Sequence, residues 1–256
     1  MSDFDRNYAA ARGGVGERAV AVDAGLRAYM VRVYNYMAAA VALTGVVSWL
    51  TFQAAGGSAI TVTAGGLSGV TPFGAMILSG PVMIGLVLAT LGLVFFLSFR
   101  IQRLEFSTAM ALFMLYAALL GVMLTPIFLA YTGASITRVF FISAASFGAL
   151  SLWGYTTKRD LSGFGSFLIM GLFGIIIASI VNIFLKSSGM DFIISVIGVL
   201  VFAGLTAYDT QRIKEMYDVN DDGSVSGRKA VMGALSLYLD FINLFLMLLR
   251  LVGDRR

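Results

Sequence analysis

The sequence contains no cysteine and no histidine. Without cysteine the chain has no disulfide, no thiol nucleophile and no thiolate metal ligand. Without histidine it has no Ser-His-Asp or Cys-His triad, no histidine-bound zinc or haem, and no histidine pH switch. Any proton sensing near neutral pH must therefore come from carboxylates in an unusual environment.

Charge is also scarce: 12% of the 256 residues are charged, whereas 59% are hydrophobic. Because a soluble domain carries about 25% charged residues, this composition indicates an integral membrane protein. The basic residues flank apolar runs instead of forming a patch, so the net charge of +4 does not indicate nucleic-acid binding. We expect a disordered cytoplasmic tail over residues 1–26, a membrane domain over 27–253 and a short tail over 254–256.

Seven apolar runs are long enough to cross a bilayer, since a span needs about 17–25 residues. They are Val33–Phe52, Phe73–Phe99, Phe106–Phe128, Val139–Tyr155, Phe164–Leu185, Phe192–Tyr208 and Val231–Val252. The fourth and sixth runs lie at the lower limit of this length. Thr125-Pro126 lies near the end of the third run, where proline should kink or end the helix. The predicted fold is an all-α bundle of seven transmembrane helices.

The distribution of lysine and arginine predicts a cytoplasmic N-terminus. With that orientation the inside segments hold 13 basic residues and the outside segments hold 5, namely Arg138, Lys186, Arg250, Arg255 and Arg256. The last three conflict with the rule if the last run crosses fully. The last run therefore either crosses against the rule or dips in and returns, and we expect it to cross.

Asp240 stands inside the last apolar run, about 14 Å from its start at a rise of about 1.5 Å per residue. A carboxylate near the membrane midplane costs at least ~2.5 kcal/mol, so such acids usually face a partner or a water-filled path. Ser236 and Asn243 share its helix face at positions i−4 and i+3. An ion or proton site is one interpretation, and a buried aspartate that joins helices through hydrogen bonds is the other.

Asp209 closes the preceding apolar run, and packing of the last two helices could bring it to Asp240. Two carboxyl groups in one site of low dielectric do not both ionise easily, so the pair would hold one proton near neutral pH. Loss of that proton would leave two negative charges that repel each other or attract a hard cation such as Ca²⁺. The alternative is an interfacial Asp209 paired with Arg212.

Two arginines, Arg100 and Arg103, end the second run on the same predicted side. Either could reach a carboxylate and latch a closed state. Both also fit the simpler interpretation of topology-setting charges at the cytoplasmic surface.

The acidic loop Asp218–Val225 partly matches an EF-hand calcium loop. Its twelfth position is Lys229, where that motif requires a bidentate glutamate. A solvated acidic turn is therefore the better interpretation.

Small residues recur at helical spacing within Gly85–Gly92 and Gly171–Ala178. In lipid, such stripes favour close helix packing. We expect these two stripes to be packed in the bundle.

Three segments resemble motifs of the Bax inhibitor-1 family, also called the transmembrane Bax inhibitor motif proteins. They are Tyr155–Ser162, Gly204–Gln211 and Ala234–Phe245, the last with an aspartate and an asparagine inside a Tyr/Phe/Leu helix. The resemblance runs from about Leu26 to Gly253, and the start of the first span is similar to that of the bacterial branch.

The resemblance implies a fold in which six helices wrap around a central C-terminal helix. It also implies a pH-sensitive calcium leak with a paired-aspartate sensor, which matches Asp209 and Asp240, and an arginine latch, for which Arg100 and Arg103 are the candidates. A bacterial member of the family binds and modulates a membrane-anchored AAA protease. The implied location is the bacterial inner membrane, and no cofactor beyond Ca²⁺ as a transported ion is implied.

Three functions compete. The first is a pH-gated Ca²⁺ leak channel, and the second is a membrane protein without transport that modulates an AAA protease through residues 1–32. The third is an intramembrane protease. A rhomboid-type enzyme needs histidine, and an aspartyl enzyme needs a Gly-x-Gly-Asp motif, which neither Asp209 nor Asp240 has, so we do not expect an enzyme.

Overall fold

A computed structural model describes residues 3–63 and 66–256 of the chain, with side chains described for residues 23–62 and 66–256. The described part consists of α-helices, two 3-10 turns and one short pair of β-strands. The α-helices are α1 (Asp3–Ala55), α2 (Pro72–Ile77), α3 (Gly80–Arg100), α4 (Phe106–Met123), α5 (Ile127–Ala130), α6 (Gly133–Thr156), α7 (Ser162–Leu185), α8 (Ser188–Glu215) and α9 (Gly223–Val252). The 3-10 turns are Gly57–Ala59 and Ile101–Arg103, and the antiparallel strands are β1 (Thr61–Thr63) and β2 (Gly66–Ser68).

Seven of the described helical segments are long and apolar enough to cross a membrane. They are Asp23–Ala55, Gly80–Arg103, Phe106–Ala130, Gly133–Thr156, Ser162–Leu185, Ser188–Glu215 and Gly223–Val252. The prediction of an all-α membrane protein with seven transmembrane helices is confirmed.

The predicted bounds differ from the observed ones where polar residues continue a helix. The fourth and sixth apolar runs are at the lower limit of the length needed to cross a bilayer, yet α6 has 24 residues and α8 has 28. Apolar runs mark only the part of a helix that lies in hydrocarbon, whereas Arg138 and Asp191 belong to the helical turns beyond it.

The predicted second span was wrong at its start. The segment before Gly80 forms the separate helix α2, and α3 begins at Gly80 with Pro81 in its first turn. Proline lacks an N–H and is tolerated in the first turn, where that group has no helical partner. Near Pro126, the prediction of a helix end is confirmed, because α4 stops at Met123 and α5 follows the proline.

Helix α1 begins at Asp3, well before the predicted start of the membrane domain at residue 27. Its backbone is helical where composition predicts a disordered tail. The side chains of residues 1–22 lie outside the described part of the structure. The predicted division into residues 1–26, 27–253 and 254–256 stays a prediction.

Helix α9 forms the centre of the bundle. Two thirds of the residues in its most apolar window (67%) are buried, against 11% for the α3 span and 17% for α7. Helices α1, α4, α6 and α8 pack directly against α9, while α3 packs mainly on α4, and α7 on α8. The implied arrangement around a central C-terminal helix is consistent with these contacts, with four helices in the inner ring and two outside it.

The two ends of α9 lie at opposite ends of the bundle. Near its start, Gly227 packs on Phe106, the first residue of α4. After its end, Gly253 packs on Tyr131, beyond the far end of α4. The last helix therefore runs the full length of the bundle, and its complete crossing of the membrane stays a prediction. We call the Phe106 end the inner end and the Tyr131 end the outer end, after the predicted orientation.

The predicted role of the first glycine stripe was wrong. An added Cβ at Gly85 or Gly92 meets nothing within 4 Å, so this face of α3 is open. In the second stripe Gly174 is also open, whereas Gly171 approaches Val201 of α8 and Ala178 packs against the core. Spacing alone cannot tell which face of a helix meets a neighbour and which meets lipid.

Candidate functional site

Asp240 lies on the central helix α9 and is 5% exposed. Helix α9 begins where Asp222 accepts a hydrogen bond from the N–H of Val225, at 2.7 Å, which satisfies one of the free donors of the first turn. Leu237 and Tyr238, which precede Asp240, are completely buried. The Asp240 Oδ2 atom is buried and accepts no hydrogen bond within the described part of the protein.

Asp209 lies on α8, the helix with the most extensive contact with α9. Its side chain is half-buried, and its carboxyl group is within hydrogen-bonding reach of the Asp240 carboxyl group. Two ionised carboxylates have only acceptors, so this contact becomes a hydrogen bond only when one of them carries a proton. Asp209 therefore supplies no donor to Asp240 while both groups are ionised.

The structure therefore brings together the two aspartates that helix positions had singled out. Arg212, the alternative partner of Asp209, forms no ion pair with it within 4.0 Å among the residues that the structure describes, but its positive charge is close enough to act on the Asp209 carboxyl group. Arg212 is exposed at the inner end of α8. The role of the aspartate pair as a sensor stays a prediction.

Ser236 and Asn243 are both half-buried on α9. The Asn243 Nδ2 donates to the carbonyl oxygen of Leu239 within the same helix, at 2.8 Å. The sequence suggested Asn243 for the ion path, and this hydrogen bond occupies one of the donors of its side-chain amide. A role of Ser236 and Asn243 in that path stays a prediction.

The candidate latch residues Arg100 and Arg103 are both exposed at the inner end of α3. In the described part of the chain neither forms an ion pair with an aspartate. Between them, Ile101 is 1% exposed and anchors this turn, which contacts α9. The structure brings the arginine-bearing segment to α9 without a latch contact, and the latch stays a prediction.

Hydroxyl groups that sequence reasoning missed connect the helices around the aspartates. The Tyr34 hydroxyl on α1 bonds to Ser151 on α6, which bonds to Thr210 on α8 at 2.9 Å. Thr210 in turn donates to the Thr206 carbonyl oxygen at 2.7 Å. The signal available in the sequence was the position of Thr210 directly after Asp209.

A second hydrogen-bonded group lies beside Asp240. The Thr44 hydroxyl on α1 donates to the Ala117 carbonyl oxygen of α4 at 2.9 Å. Since that bond uses its only proton, the Tyr238 hydroxyl must donate to Thr44, at 2.6 Å. This group joins α1, α4 and α9 two residues before Asp240.

The inner end of α8 is tied to the connection between α6 and α7. Gln211 donates from Nε2 to the Arg159 carbonyl oxygen and accepts from the Leu161 N–H, both at 2.8 Å. Lys214 donates to the Tyr155 carbonyl oxygen at 3.0 Å. These contacts fix the part of α8 that carries Asp209.

The acidic loop uses its carboxylates for local structure. Asp218 accepts from the N–H of Asn220 at 2.9 Å, Asp222 caps α9, and Asp221 pairs with Lys229 at 2.5 Å. The N–H bond to the carboxylate lowers the pKa of Asp218, as the N–H of Ser162 lowers the pKa of Asp160. This arrangement matches a structured acidic turn and leaves no calcium-binding set.

Within residues 3–63 and 66–256 no group of three or more acidic side chains comes together as a metal site. Ca²⁺ prefers six to eight oxygen ligands. Asp209 and Asp240 supply two carboxyl groups, fewer oxygen ligands than Ca²⁺ takes, and their predicted role as calcium ligands stays a prediction.

Comparison with known proteins identifies the family to which the chain is similar. The sequence model described as "Inhibitor of apoptosis-promoting Bax1" matches residues 26–256. The inner membrane protein YbhL of Escherichia coli K12 is 47% identical over 235 residues, which cover 91% of this chain and 94% of that protein. The Rickettsia prowazekii protein RP147 is 47% identical over 234 residues, covering 91% and 92%.

A Caulobacter vibrioides protein is 43% identical over 260 residues and covers both chains completely. These matches extend over the whole membrane domain that contains Asp209 and Asp240. The match of the family model begins at residue 26, where the motif resemblance also begins. The chain therefore belongs to the Bax inhibitor-1 family of membrane proteins.

Proposed function

We propose that this protein is a pH-sensitive calcium leak channel of the bacterial inner membrane, gated by the Asp209–Asp240 pair. The observation that carries the proposal is the contact between these two carboxyl groups at the interface of α8 and α9. Asp240 is 5% exposed in a bundle without histidine, so the pair is the group best suited to respond to protons. The proposed location follows that of the relative YbhL, which is named an inner membrane protein.

With one proton between them, the two carboxyl groups hold α8 and α9 together through a hydrogen bond. Without it, two negative charges face each other in a poorly solvated contact, where repulsion is much stronger than in water. That repulsion loosens the contact between α8 and α9, and the same charges attract a divalent cation. Proton and Ca²⁺ then compete for one place on the path.

The surrounding contacts direct this movement. Gln211 and Lys214 tie the inner end of α8 to the connection before α7, so separation at Asp209 must move that connection or break these bonds. Thr210 links α8 to Ser151 of α6. Because α9 is also held by α1, α4 and α6, we expect a change at the pair to displace α8 rather than α9. Arg100 or Arg103 would stabilise one of the two states by binding a carboxylate.

The test is Ca²⁺ flux into dye-loaded proteoliposomes at pH 6, 7 and 8. We expect wild-type flux to change with pH, and Asp240→Asn to remove that dependence because an amide cannot share the proton. Glu215→Gln is the matched control, since Glu215 is an exposed carboxylate on the same helix as Asp209. Folded wild type that moves no Ca²⁺ at any pH would refute the proposal.

The alternative proposal is a membrane protein that modulates a membrane-anchored AAA protease without transport. Helix α1 has 53 residues, about 80 Å at 1.5 Å per residue. Because a bilayer core is about 30 Å thick, α1 is long enough to extend beyond the membrane at the inner end. Wild type that regulates the protease but moves no Ca²⁺ would support this alternative. If the wild type does both, a deletion of residues 1–22 that abolishes protease regulation and leaves Ca²⁺ flux intact would make protease modulation a second activity of the channel.

A further inference from the structure

A cavity of about 590 Å³, lined by both charged and apolar side chains, lies at the outer end, opposite to the aspartate pair. We call it the outer-end cavity. Its polar lining comes from α7, α8, the end of α9 and the residues that follow it: Asn182, Lys186, Ser188, Asp191, Arg250 and Arg255. The function proposed above does not use any of these residues.

Positive charge dominates the outer-end cavity. Three cationic side chains, Lys186, Arg250 and Arg255, line it together with one carboxylate, Asp191. None of the three cations has a carboxylate within 4.0 Å in the described part of the chain. The two ion pairs found among the described residues involve other side chains. Three like charges around one space repel each other, and an anion placed between them removes that repulsion.

The carboxylate in the cavity is already held by a neighbouring side chain. Asn182 is a buried asparagine in the apolar helix α7, and its Nδ2 donates to Asp191 Oδ1 at 2.7 Å. The same amide donates to the Ser187 carbonyl oxygen at 3.2 Å and accepts from the Ser187 N–H at 3.0 Å. Asn182 therefore fixes the turn between α7 and α8 on which Lys186 stands.

Lys186 has a left-handed backbone conformation, with φ of 50°. Among the described residues it is the one with positive φ that is not glycine. Glycine usually occupies this position after a helix, since a side chain is disfavoured there. The chain thus places a cation at the cavity against a backbone preference.

The residues after α9 are also fixed in place. The N–H of Thr132 donates to the Asp254 carbonyl oxygen at 3.1 Å, and the N–H of Arg256 donates to the Ala130 carbonyl oxygen at 3.0 Å. Tyr131 and Arg255 pair as an antiparallel bridge between these bonds. Arg255 is therefore held by backbone contacts on both sides.

The wall of the cavity includes apolar side chains of the lipid-facing surface. Ile183 and Phe192 line the cavity and are 67% and 61% exposed. A ligand that fits has an anionic group for the cations and an apolar part for this wall. A phospholipid at the membrane surface has both, whereas a soluble anion has only the first.

We propose that the outer-end cavity binds the phosphate group of an anionic phospholipid. Lys186, Arg250 and Arg255 bind the phosphate oxygens, and the acyl chains lie along Ile183 and Phe192. This assignment also gives a reason for Arg250 and Arg255 at the outer end, which opposes the positive-inside rule. The proposal does not depend on Ca²⁺ transport.

The test is lipid binding to the purified full chain in detergent, measured by native mass spectrometry and by the thermal unfolding midpoint. Phosphatidylglycerol is titrated as the anionic lipid, with phosphatidylcholine as the zwitterionic one. We expect phosphatidylglycerol to bind and to raise the unfolding midpoint. Each of the variants Lys186→Gln, Arg250→Gln and Arg255→Gln should lower the affinity for phosphatidylglycerol about tenfold, as expected for the loss of one charged hydrogen bond. Arg250→Lys retains the charge and should retain more affinity than Arg250→Gln, although lysine lacks the bidentate geometry of arginine.

Arg256→Gln is the matched control, because Arg256 follows Arg255 but does not line the cavity. It should bind phosphatidylglycerol like the wild type. Equal affinity of the wild type and the triple variant Lys186→Gln/Arg250→Gln/Arg255→Gln would overturn the proposal. The single variants keep the test decisive if the triple variant does not fold.

Inorganic phosphate distinguishes the two sources of the anion. We expect millimolar phosphate alone to leave the unfolding midpoint unchanged, because it lacks the apolar part. If phosphate raises the midpoint as much as phosphatidylglycerol and displaces the lipid, the cavity is a site for soluble phosphate and the lipid assignment is wrong. Higher salt should weaken lipid binding to the wild type, since the contacts are between charges.

Discussion

Gly154 on α6 marks the closest approach to α8 near the aspartate pair. An added Cβ at this position would lie 2.3 Å from the Ala207 carbonyl oxygen and 2.9 Å from the Ala207 Cα. A carbon atom needs about 3.5 Å from such neighbours, so Gly154→Ala requires α6 and α8 to separate by about 1 Å. The obstacle is backbone, which cannot rotate away as a side chain can.

The expected change in the free energy of unfolding follows from two opposing effects. Alanine favours a helix over glycine by about 0.5–1 kcal/mol, while overpacking costs about 1–3 kcal/mol. Gly148 lies on the same helix, and an added Cβ there meets nothing within 4 Å. Gly148→Ala should therefore be neutral or slightly stabilising, and Gly154→Ala should be less stable than Gly148→Ala by about 1–3 kcal/mol.

The assay is reversible unfolding of both variants in mixed micelles, with the free energy of unfolding as the readout. Because Ala207 stands two residues before Asp209, Gly154→Ala should also change the pH dependence of Ca²⁺ flux, whereas Gly148→Ala should not. Equal stability of the two variants would refute the close-packing argument at this helix crossing.

Three further predictions concern buried polar contacts and acid stability. Lys229→Met leaves the carboxylate of Asp221, whose side chain is 15% exposed, without its partner, and should lower the free energy of unfolding by about 1–3 kcal/mol. Thr44→Val removes the acceptor of the buried Tyr238 hydroxyl and should lower the free energy of unfolding by about 1–3 kcal/mol. The lowered pKa of Asp218 contributes stability above its unfolded value of about 3.9, which is lost as pH falls through the folded pKa. Asp218→Asn should therefore reduce the loss of stability between pH 5 and pH 2.

Each of these predictions has a control. Lys158→Met removes an exposed lysine and should leave the free energy of unfolding unchanged. Thr137→Val removes an exposed hydroxyl that bonds only to its own helix, at Gly133, and should cost less than Thr44→Val. Asp222→Asn retains the helix cap and should leave the free energy of unfolding at pH 7 close to that of the wild type. An effect of Lys158→Met as large as that of Lys229→Met would contradict the ion-pair argument.

The number and order of the helices could be predicted from the sequence because hydrocarbon requires long apolar runs. The juxtaposition of Asp209 and Asp240 could also be anticipated, since antiparallel neighbours place the inner end of one helix beside the other. The break before Gly80 could have been found, because Pro81 stands inside the run assigned to one span.

Other features depend on how each helix is rotated in the bundle. The stripe that includes Gly85 faces open space, whereas Gly154 contacts a backbone, and nothing in their spacing distinguishes them. The link from Tyr34 through Ser151 joins residues far apart in the chain. Such contacts follow from tertiary packing, which residue periodicity does not specify.

The most direct test of the account is the protonation of the aspartate pair itself. Infrared spectroscopy of the purified protein, titrated between pH 5 and pH 9, detects a protonated carboxyl group by its C=O stretch. We predict that the wild type at pH 7 has one protonated carboxyl signal that both Asp209→Asn and Asp240→Asn abolish or shift. A spectrum without this signal, or one that neither variant changes, would contradict the shared proton on which the proposed gating depends.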